Sequence, residues 1–467
     1  MAIAASAILF FWGLWSLPIL SLNEGRRMVV VREMLAGSNW LLPTLGGKVY
    51  LMKPPLFYWV AASIGLLFRS SAEWVVRLPS AVSAFLVTWL TYYWAKKYIS
   101  RWAALFSALI LITAYKFSLY ARRGEIEMLL TLCCTLAAFL FWDFLKSPQA
   151  RSRLYLSYAL WGLAFLTKGP AALPYFAPPL LLFWLLTRDR NVLRGLLSLR
   201  GWALLALVAL PWYIYTYLNL GGGRWESFLE RDLLGKTFWS RARDPLYSYP
   251  LEMVINFSPW MLILFYRTKG ELKSLFSRRE TLFCFAWALV PFLLFSACAT
   301  KHAKYILPLF PAVSILLGTW MASAYARLKT RFGAEVNRVA LLTVATLLAG
   351  WVLFYSVGEP VFLNYRYCAI PPLLQKIQET GGEAPVFSYR HKYERLIYYY
   401  QKPIRTIHQK GLKKRIKRQE SFLLIAEDRN WKELEGQGLC VLAEVRPFLH
   451  RNRAARLYAT PDFCKSR

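Results

Sequence analysis

Acidic and basic side chains follow the first hydrophobic run of this chain. The segment Leu22-Asn23-Glu24-Gly25-Arg26-Arg27 comes directly after that run, and Lys53 precedes a double proline in residues 51–59 (LMKPPLFYW). A carboxylate can take a proton from a hydroxyl group, and lysine and arginine are good ligands for phosphate. Because the segments lie beside hydrophobic runs, their residue types predict chemistry on a phosphate-bearing lipid at one face of a membrane.

A second charged segment, residues 122–127 (RRGEIE), precedes a later hydrophobic run. Its acids, Glu125 and Glu127, are further candidates for a proton acceptor. A simpler interpretation is that the acids form solvated ion pairs with neighbouring arginines, which contribute little to stability. The pairs would be Glu24 with Arg26 or Arg27, and Glu127 with Arg122 or Arg123.

The elements that position these side chains are predicted to be membrane-spanning helices. The 467 residues are 57% hydrophobic and include 20 tryptophans, and their mean hydropathy is +0.33. A helix needs about 17–25 apolar residues to cross a bilayer, and about eleven runs approach or reach that length. We therefore predict an all-α polytopic membrane protein with about eleven or more transmembrane helices. The runs are residues 2–21, 78–95, 102–120, 126–145, 154–167, 171–187, 201–218, 251–266, 281–298, 305–324 and 339–357.

The net charge of +32 comes from 58 lysine and arginine residues against 26 acids. Such an excess can indicate nucleic-acid binding, but these residues also collect in the short cytoplasmic loops of membrane proteins. We favour the second explanation, with the N-terminus inside, and expect no nucleic-acid partner. Other cations remain on the opposite face, where the bias disfavours them, and we interpret these as candidates for binding an anion.

The chain divides at about residue 358. Residues 1–358 form the predicted transmembrane domain, and residues 359–467 lack any run of spanning length. Short strand-like segments at 385–389, 422–426 and 439–443 alternate there with polar stretches, which predicts a small extracytoplasmic α/β domain. Outside the cytoplasm, one disulfide among its three cysteines becomes possible. These cysteines are Cys368, Cys440 and Cys464.

Seven short motifs occur in an order that resembles one enzyme family. The first four are the charged segment at 22–27, the lysine-proline segment at 51–59, RLPSA at 77–81 and an acid at the start of the fourth hydrophobic run. TKGP at 167–170, PWY at 211–213 and KxxxYxLPxxP at 301–311 follow in that order. This order is similar to that of the polyprenyl-phosphate-dependent glycosyltransferases related to lipid A aminoarabinose transferase (ArnT) and to protein O-mannosyltransferases. The resemblance covers about residues 1–360.

The resemblance implies the GT-C fold and an inverting glycosyltransferase of the bacterial inner membrane. Such an enzyme takes a sugar from a polyprenyl (undecaprenyl) phosphate donor at the periplasmic face, with no nucleotide, and passes it to lipid A or another envelope glycolipid. The C-terminal domain would lie on the same side. Alternatives are sugar transfer to proteins, a catalytically degenerate homologue and, from another class, a membrane transporter.

The resemblance also suggests roles for individual residues. The family's acidic pair falls on Asn23 and Glu24, and its second-loop acid falls on Glu127. The family has aspartate at the first of these positions, whereas a neutral amide such as Asn23 cannot act as a base. We therefore expect Glu24 or Glu127 to be the catalytic carboxylate, with Glu125 and Arg27 as acceptor-side candidates.

Lys53 matches the family lysine before the double proline and is the main candidate for the donor phosphate. Arg26, Arg123 and Lys301 are possible helpers, and Tyr305 could add a hydrogen bond. Some ArnT-like enzymes carry a metal near this site, but the glutamate that precedes the lysine there is Met52 here. The four histidines show no ligand spacing. We expect no cofactor and no structural metal, and a loosely bound divalent cation remains an option.

Overall fold

The computed structural model describes residues 2–19, 21–220, 244–265, 277–333, 335–359, 361, 370–381, 384–391, 393–402, 404–446 and 454–464. Helices dominate the part before residue 360. Seven helical segments are long and apolar enough to cross a membrane, or eight if the bent pair α5 and α6 counts as one span. The helices of this part are α1 (Ala2–Phe11), α2 (Leu22–Leu35), α3 (Leu56–Leu67), α4 (Glu73–Tyr98), α5 (Arg101–Thr113), α6 (Tyr115–Ala121), α7 (Ile126–Lys146), α8 (Arg151–Lys168), α9 (Ala177–Thr187), α10 (Arg190–Leu196), α11 (Leu199–Leu220), α12 (Ser248–Phe257), α13 (Arg279–Ala297), α14 (Phe310–Phe332) and α15 (Glu335–Leu353).

The predicted all-helical membrane architecture is confirmed, with a lower count of spans among the described residues. The runs 154–167 and 171–187 fall within one helical segment, Arg151–Thr187. The run 2–21 contains only the ten-residue helix α1. The run 251–266 contains the end of α12 and a short 3-10 segment, Trp260–Phe265. Apolar residues continue past the points where these helices end, so hydropathy alone overestimates the helix lengths.

A bend between α5 and α6 directs the chain towards one end of the helix bundle. The two helices meet at Ala114 at an angle of 69°. The chain then passes through a tight turn at residues 122–125 and enters α7, where Glu127 lies in the first helical turn. Lys146 ends α7, and 21 residues of helix at about 1.5 Å per residue place it about 30 Å away. Glu127 and Lys146 therefore mark opposite ends of the bundle.

The loop between α2 and α3 is ordered by side chains around it. It contains a two-stranded hairpin, β1 (Thr44–Leu45) and β2 (Lys48–Val49). Two glycines form its turn with positive φ angles, the backbone conformation that two-residue hairpin turns require. Glu33 of α2 accepts hydrogen bonds from Thr44 and from the backbone N–H of Gly46. The loop that leads to Lys53 is therefore fastened to α2.

The C-terminal part contains a five-stranded sheet with the order β4-β3-β5-β7-β6. The strands β3, β4 and β5 run parallel, and β7 pairs antiparallel with β5 and β6. The bounds are β3 (Val386–Tyr389), β4 (Arg405–Ile407), β5 (Leu423–Glu427), β6 (Cys440–Val445) and β7 (Ala455–Ala459), with helices α16 (Ile370–Gly381), α17 (Glu394–Tyr400), α18 (Gln409–Lys417) and α19 (Trp431–Leu434). The three predicted strands are present, and the sequence reading missed β4 and β7. A disulfide joins Cys440 and Cys464, while Cys368 lies outside the described residues.

This sheet domain rests on the end of the bundle that carries α2. Arg32 of α2 donates a hydrogen bond to the carbonyl oxygen of Tyr398 at 2.6 Å. The Tyr398 hydroxyl in turn donates to the carbonyl of Ser71 at 2.9 Å, and the Tyr399 hydroxyl accepts from the N–H of Ile19. Hydrophobic residues of α2 and of the sheet also belong to one buried cluster. The C-terminal domain therefore lies beside the segments that contain the predicted site.

Candidate active site

The turn at residues 122–125 is anchored from several elements. Glu24 is fully buried, and its Oε1 accepts hydrogen bonds from Arg77 Nε and from the backbone N–H of Gly124, both at 2.9 Å. The other nitrogens of the Arg77 guanidinium donate to the carbonyls of Leu14, Leu17 and Pro18. One arginine thereby connects the segment after α1, the start of α2 and the turn before α7.

Gly124 allows this turn to approach α4 closely. A Cβ atom at position 124 would lie 2.9 Å from Val76 Cγ1 and 3.2 Å from the Val76 carbonyl oxygen. Those distances are too short for a side chain unless the backbone shifts. Ser80 of α4 fixes the next residue, because its hydroxyl donates to the Glu125 carbonyl at 2.9 Å. The turn is therefore held in one position against α4.

Glu125 directs its carboxylate to the first turn of α2. Its Oε1 accepts a hydrogen bond from the hydroxyl of Ser21, the N-cap residue of α2, at 2.8 Å. Its Oε2 lies 3.3 Å from Nη1 of Arg27, and both side chains are at most 5% exposed. Burial raises the pKa of the Glu125 carboxyl above its ordinary value, and the opposing effect of Arg27 is smaller. For Arg27, the two nearby carboxylates outweigh burial and raise the pKa of the guanidinium, which stays charged.

Glu127 lies between two lysines. Its Oε1 is 3.6 Å from the Nζ atoms of Lys168 and of Lys304, and its side chain is 1% exposed. Lys168 ends α8, because Gly169 adopts a positive φ angle and leaves the helical conformation. Lys304 comes from a short 3-10 segment, Ala303–Tyr305. One acid and two cations from three separate elements are thus in contact at a buried position.

Several polar atoms of this group are buried without a hydrogen bond among the described residues. They include Oε2 of both glutamates, Nε of Arg27 and Nζ of Lys168. Leaving a buried polar group unpaired costs about 1–3 kcal/mol, and more for a charged group. The three cations Arg27, Lys168 and Lys304 exceed the two carboxylates by one positive charge. The arrangement therefore favours an anionic ligand.

Aromatic and basic side chains surround this group. The Tyr305 ring lies below Lys168, with 4.5 Å between Nζ and the ring centroid. Lys53 is close enough to Lys168 for their charges to interact. Tyr58 is buried near Arg27 and Glu127 and forms a hydrogen bond with Tyr50. Burial raises the pKa of the Tyr58 hydroxyl, so that it remains a hydrogen-bond donor.

The structure brings most of the predicted residues together. Arg27, Glu125, Glu127, Lys53 and Tyr305 converge as described above. Their roles in catalysis and phosphate binding stay predictions. The alternative that the two predicted acids are solvated helix-end ions is wrong, because both are buried and Glu127 pairs with lysines rather than with Arg122 or Arg123.

The remaining predicted residues lie around this centre. Asn23 is half-buried on the face of α2 that also carries Arg27, four residues later. Arg26 is half-buried on the same helix, and Arg123 is half-buried where its charge acts on Glu359. The Lys301 ammonium donates to the carbonyls of Asp244 and Cys298, whereas Lys304, three residues later, lies beside Glu127.

Ser21, Tyr58, Lys168 and Lys304 are not among the predicted site residues. Lys168 lies in the TKGP motif, but its partner Glu127 is 41 residues earlier in the chain. Within the described ranges, no three histidine, cysteine, aspartate or glutamate side chains converge as metal ligands. The expectation about metals stays a prediction.

Comparisons with known proteins give this site a context. Residues 52–215 match the family described as dolichyl-phosphate-mannose-protein mannosyltransferase. The chain is 28% identical over 356 residues to the undecaprenyl phosphate-alpha-4-amino-4-deoxy-L-arabinose arabinosyl transferase 1 of Proteus mirabilis, which covers 73% of this chain and 62% of that protein. The chain therefore spans just under two thirds of the length of this curated relative.

Solved structures show the same fold. The apo crystal structure of ArnT from Cupriavidus metallidurans superposes with a TM-score of 0.79 at 20% identity, over 98% of this chain and 97% of that one. This chain has the GT-C fold of ArnT and resembles the ArnT-like glycosyltransferases in sequence. The Archaeoglobus fulgidus oligosaccharyltransferase is a more distant neighbour, with a TM-score of 0.58 at 12% identity over 92% of this chain and 69% of that one. The named relatives are glycosyltransferases, which confirms the prediction of an enzyme.

Proposed function

We propose that this chain transfers a sugar from undecaprenyl phosphate to lipid A or another envelope glycolipid, with inversion at the anomeric carbon. The observation that carries the proposal is the buried group of Glu125, Glu127, Arg27, Lys168 and Lys304. A polyprenyl phosphate that carries a sugar is an anionic phosphodiester, which suits the excess positive charge of this group. A solved ArnT is bound to undecaprenyl phosphate, which supports the same donor class here.

The residues of the site supply both requirements of a direct displacement. The lysines at 168 and 304, with Lys53 nearby, bind the phosphate and stabilise the charge that it gains as the bond to the sugar breaks. One of the two buried glutamates takes the proton from the attacking hydroxyl group. Because the group is shielded from solvent, these charges act at low effective dielectric and discriminate strongly between the ground state and the transition state.

We further propose that the site and the C-terminal domain face the periplasm of the bacterial inner membrane. The disulfide between Cys440 and Cys464 supports this side, since disulfides persist in oxidising compartments. Cationic residues at the other end of the bundle support it as well, because lysine and arginine favour the cytoplasmic face. They include Lys97, Lys146 and Arg279, which pair there with Asp143, Glu280 and Asp189.

A second candidate is sugar transfer to proteins. The match of residues 52–215 to a family described as protein mannosyltransferases favours it. The donor chemistry would be the same, because both reactions displace a polyprenyl phosphate. The two candidates differ only in the acceptor and in the sugar that the donor carries.

Mass spectrometry of lipid A and other envelope glycolipids tests the proposal. Cells would carry the intact chain, a deletion, Glu127→Gln, or the control Glu280→Gln, which makes the same chemical change at the other end of the bundle. We expect a pentose- or hexose-sized mass to be lost in the deletion and in Glu127→Gln and to be kept in Glu280→Gln. An unchanged glycolipid profile in the deletion strain would refute glycolipid transfer, and loss of a glycoprotein modification would favour the second candidate.

A further inference from the structure

The two glutamates of the site are held in different ways. Glu127 is neutralised by two lysines, each 3.6 Å from the same oxygen. Glu125 contacts one guanidinium and one hydroxyl group and lies beside the Glu127 carboxylate, and its direct ion pair is with a single cation, Arg27. A carboxylate that two ammonium groups stabilise is a weak proton acceptor, since its negative charge is already satisfied. The two carboxylates are therefore suited to different tasks.

The position of Glu125 also differs from that of Glu127. Ser21 immediately precedes α2, and Arg27 lies in its second turn, so that contacts to both place the Glu125 carboxylate along the first turn of this helix. Asn23 lies between them in sequence, on the helix face that carries Arg27. Side chains four residues apart on a helix have Cβ atoms about 5–6 Å from each other. Position 23 and the Glu125 carboxylate thus border the same space.

We infer that Glu125 is the proton acceptor of the reaction and that its carboxylate takes the place of one that Asn23 cannot provide. This inference rests on the proposed transferase function. In the step, the acceptor oxygen attacks the anomeric carbon, the bond from this carbon to the phosphate oxygen breaks, and its electron pair leaves with the phosphate. The hydroxyl proton passes to Glu125, which becomes neutral while the released lipid phosphate gains one negative charge. Glu127 holds Lys168 and Lys304 where that charge develops.

The surroundings of Glu125 suit this role. The charged or titratable groups that face it are Arg27 from α2, Glu127 from α7, Lys304 from the 3-10 segment and Tyr120 from α6. Burial raises the pKa of its carboxyl above the ordinary value of a glutamate, which makes the carboxylate a stronger proton acceptor. We expect the transfer rate to fall as the pH is lowered through this pKa, since the protonated carboxyl cannot accept a proton.

The test uses the full chain in detergent, with undecaprenyl phosphate-4-amino-4-deoxy-L-arabinose as donor and lipid A as acceptor. Removal of a general base costs about 100-fold or more in rate, so Glu125→Gln should lose at least that factor together with the acidic limb of the pH profile. Glu125→Asp should transfer the sugar more slowly than the wild type but keep the acidic limb of the pH profile. The decisive variant is Asn23→Asp/Glu125→Gln, which we expect to regain activity and the acidic limb. Asn23→Asp/Glu127→Gln is its matched control and should regain neither.

Binding of undecaprenyl phosphate separates catalysis from folding. Glu125→Gln should bind this lipid almost as well as the wild type does, whereas Lys168→Ala should bind it poorly. If Glu125→Gln does not bind, the double variant decides, and its failure to regain both binding and transfer would overturn the inference. A Glu125→Gln rate near that of the wild type, or an unchanged acidic limb, would also overturn it while leaving the transferase function intact. Absence of transfer and of lipid binding by the wild type would instead refute the proposed function, and the inference with it.

Discussion

Replacement of Arg77 by methionine tests whether its ion pair with Glu24 holds the site together. The change keeps much of the side-chain volume but leaves a fully buried carboxylate without its cation, and three carbonyl oxygens lose their donor. Removing one partner of a buried ion pair costs about 3–5 kcal/mol. At about 2 °C per kcal/mol for a large domain, this corresponds to a melting temperature lower by about 6–10 °C. Water that enters the gap would form hydrogen bonds with the three carbonyl oxygens and so reduce the free energy lost with their donor.

Thermal unfolding of the purified protein in detergent, followed by tryptophan fluorescence, measures this shift. Arg101→Met is a matched control, because Arg101 is exposed at the start of α5 and its loss should leave the melting temperature nearly unchanged. Glu24→Gln should be milder, since an amide oxygen can still accept from Arg77 and Gly124. The double variant should be destabilised by less than the sum of the single changes. Additive effects, or an Arg77→Met protein that melts like the wild type, would refute the structural role of the pair.

Further predictions concern the phosphate ligands, the turn and the disulfide. Lys53→Ala should abolish sugar transfer and weaken undecaprenyl phosphate binding. Lys301→Ala should mainly lower thermal stability, because the Lys301 ammonium binds backbone carbonyls. Equal losses of lipid binding in the two variants would contradict this distinction. Gly124→Ala should reduce transfer by displacing the turn from α4, and its melting temperature should fall by an amount equivalent to about 1–3 kcal/mol; normal transfer would show that the turn tolerates the shift. Cys440→Ser/Cys464→Ser should destabilise the C-terminal domain by about 2–4 kcal/mol, seen as faster proteolysis of that domain, and an unchanged proteolysis rate would exclude a structural contribution of the bond.

The sequence was sufficient for the membrane class, the fold and the centre of the site. Hydropathy finds helices because a bilayer demands long apolar runs, and three of the five strands stand out as short apolar runs between polar stretches. Arg27, Glu125 and Glu127 could be named because they lie in the two charged segments, 22–27 and 122–127, that border hydrophobic runs. The order of the motifs then indicated the family, which the comparisons confirm.

The partners of these residues could not be predicted, because they are distant in sequence. The contact between Glu24 and Arg77 joins residues 53 positions apart, and that between Ser21 and Glu125 joins residues 104 positions apart. Neighbouring arginines were the natural partners for the acids by sequence distance alone. In the structure, Glu24 is buried and accepts hydrogen bonds from the Arg77 guanidinium and from the backbone N–H of Gly124. Such choices depend on packing that no local pattern contains.

Glu359, the residue that follows the last membrane helix, forms a contact that the membrane domain would lose if the chain were cut at the predicted boundary. Arg122, which is buried at the start of the turn, pairs with Glu359 at 3.3 Å, stacks on Tyr355 and donates to carbonyls in and just after α1. Glu359 is the first residue beyond the predicted boundary at 358. A fragment cut at that boundary would lose the acid and keep a desolvated guanidinium, at a cost comparable to that of breaking any buried ion pair. Chimeras that exchange the C-terminal domain between relatives should therefore place the junction after Glu359. The membrane part then keeps both partners of the ion pair between Arg122 and Glu359.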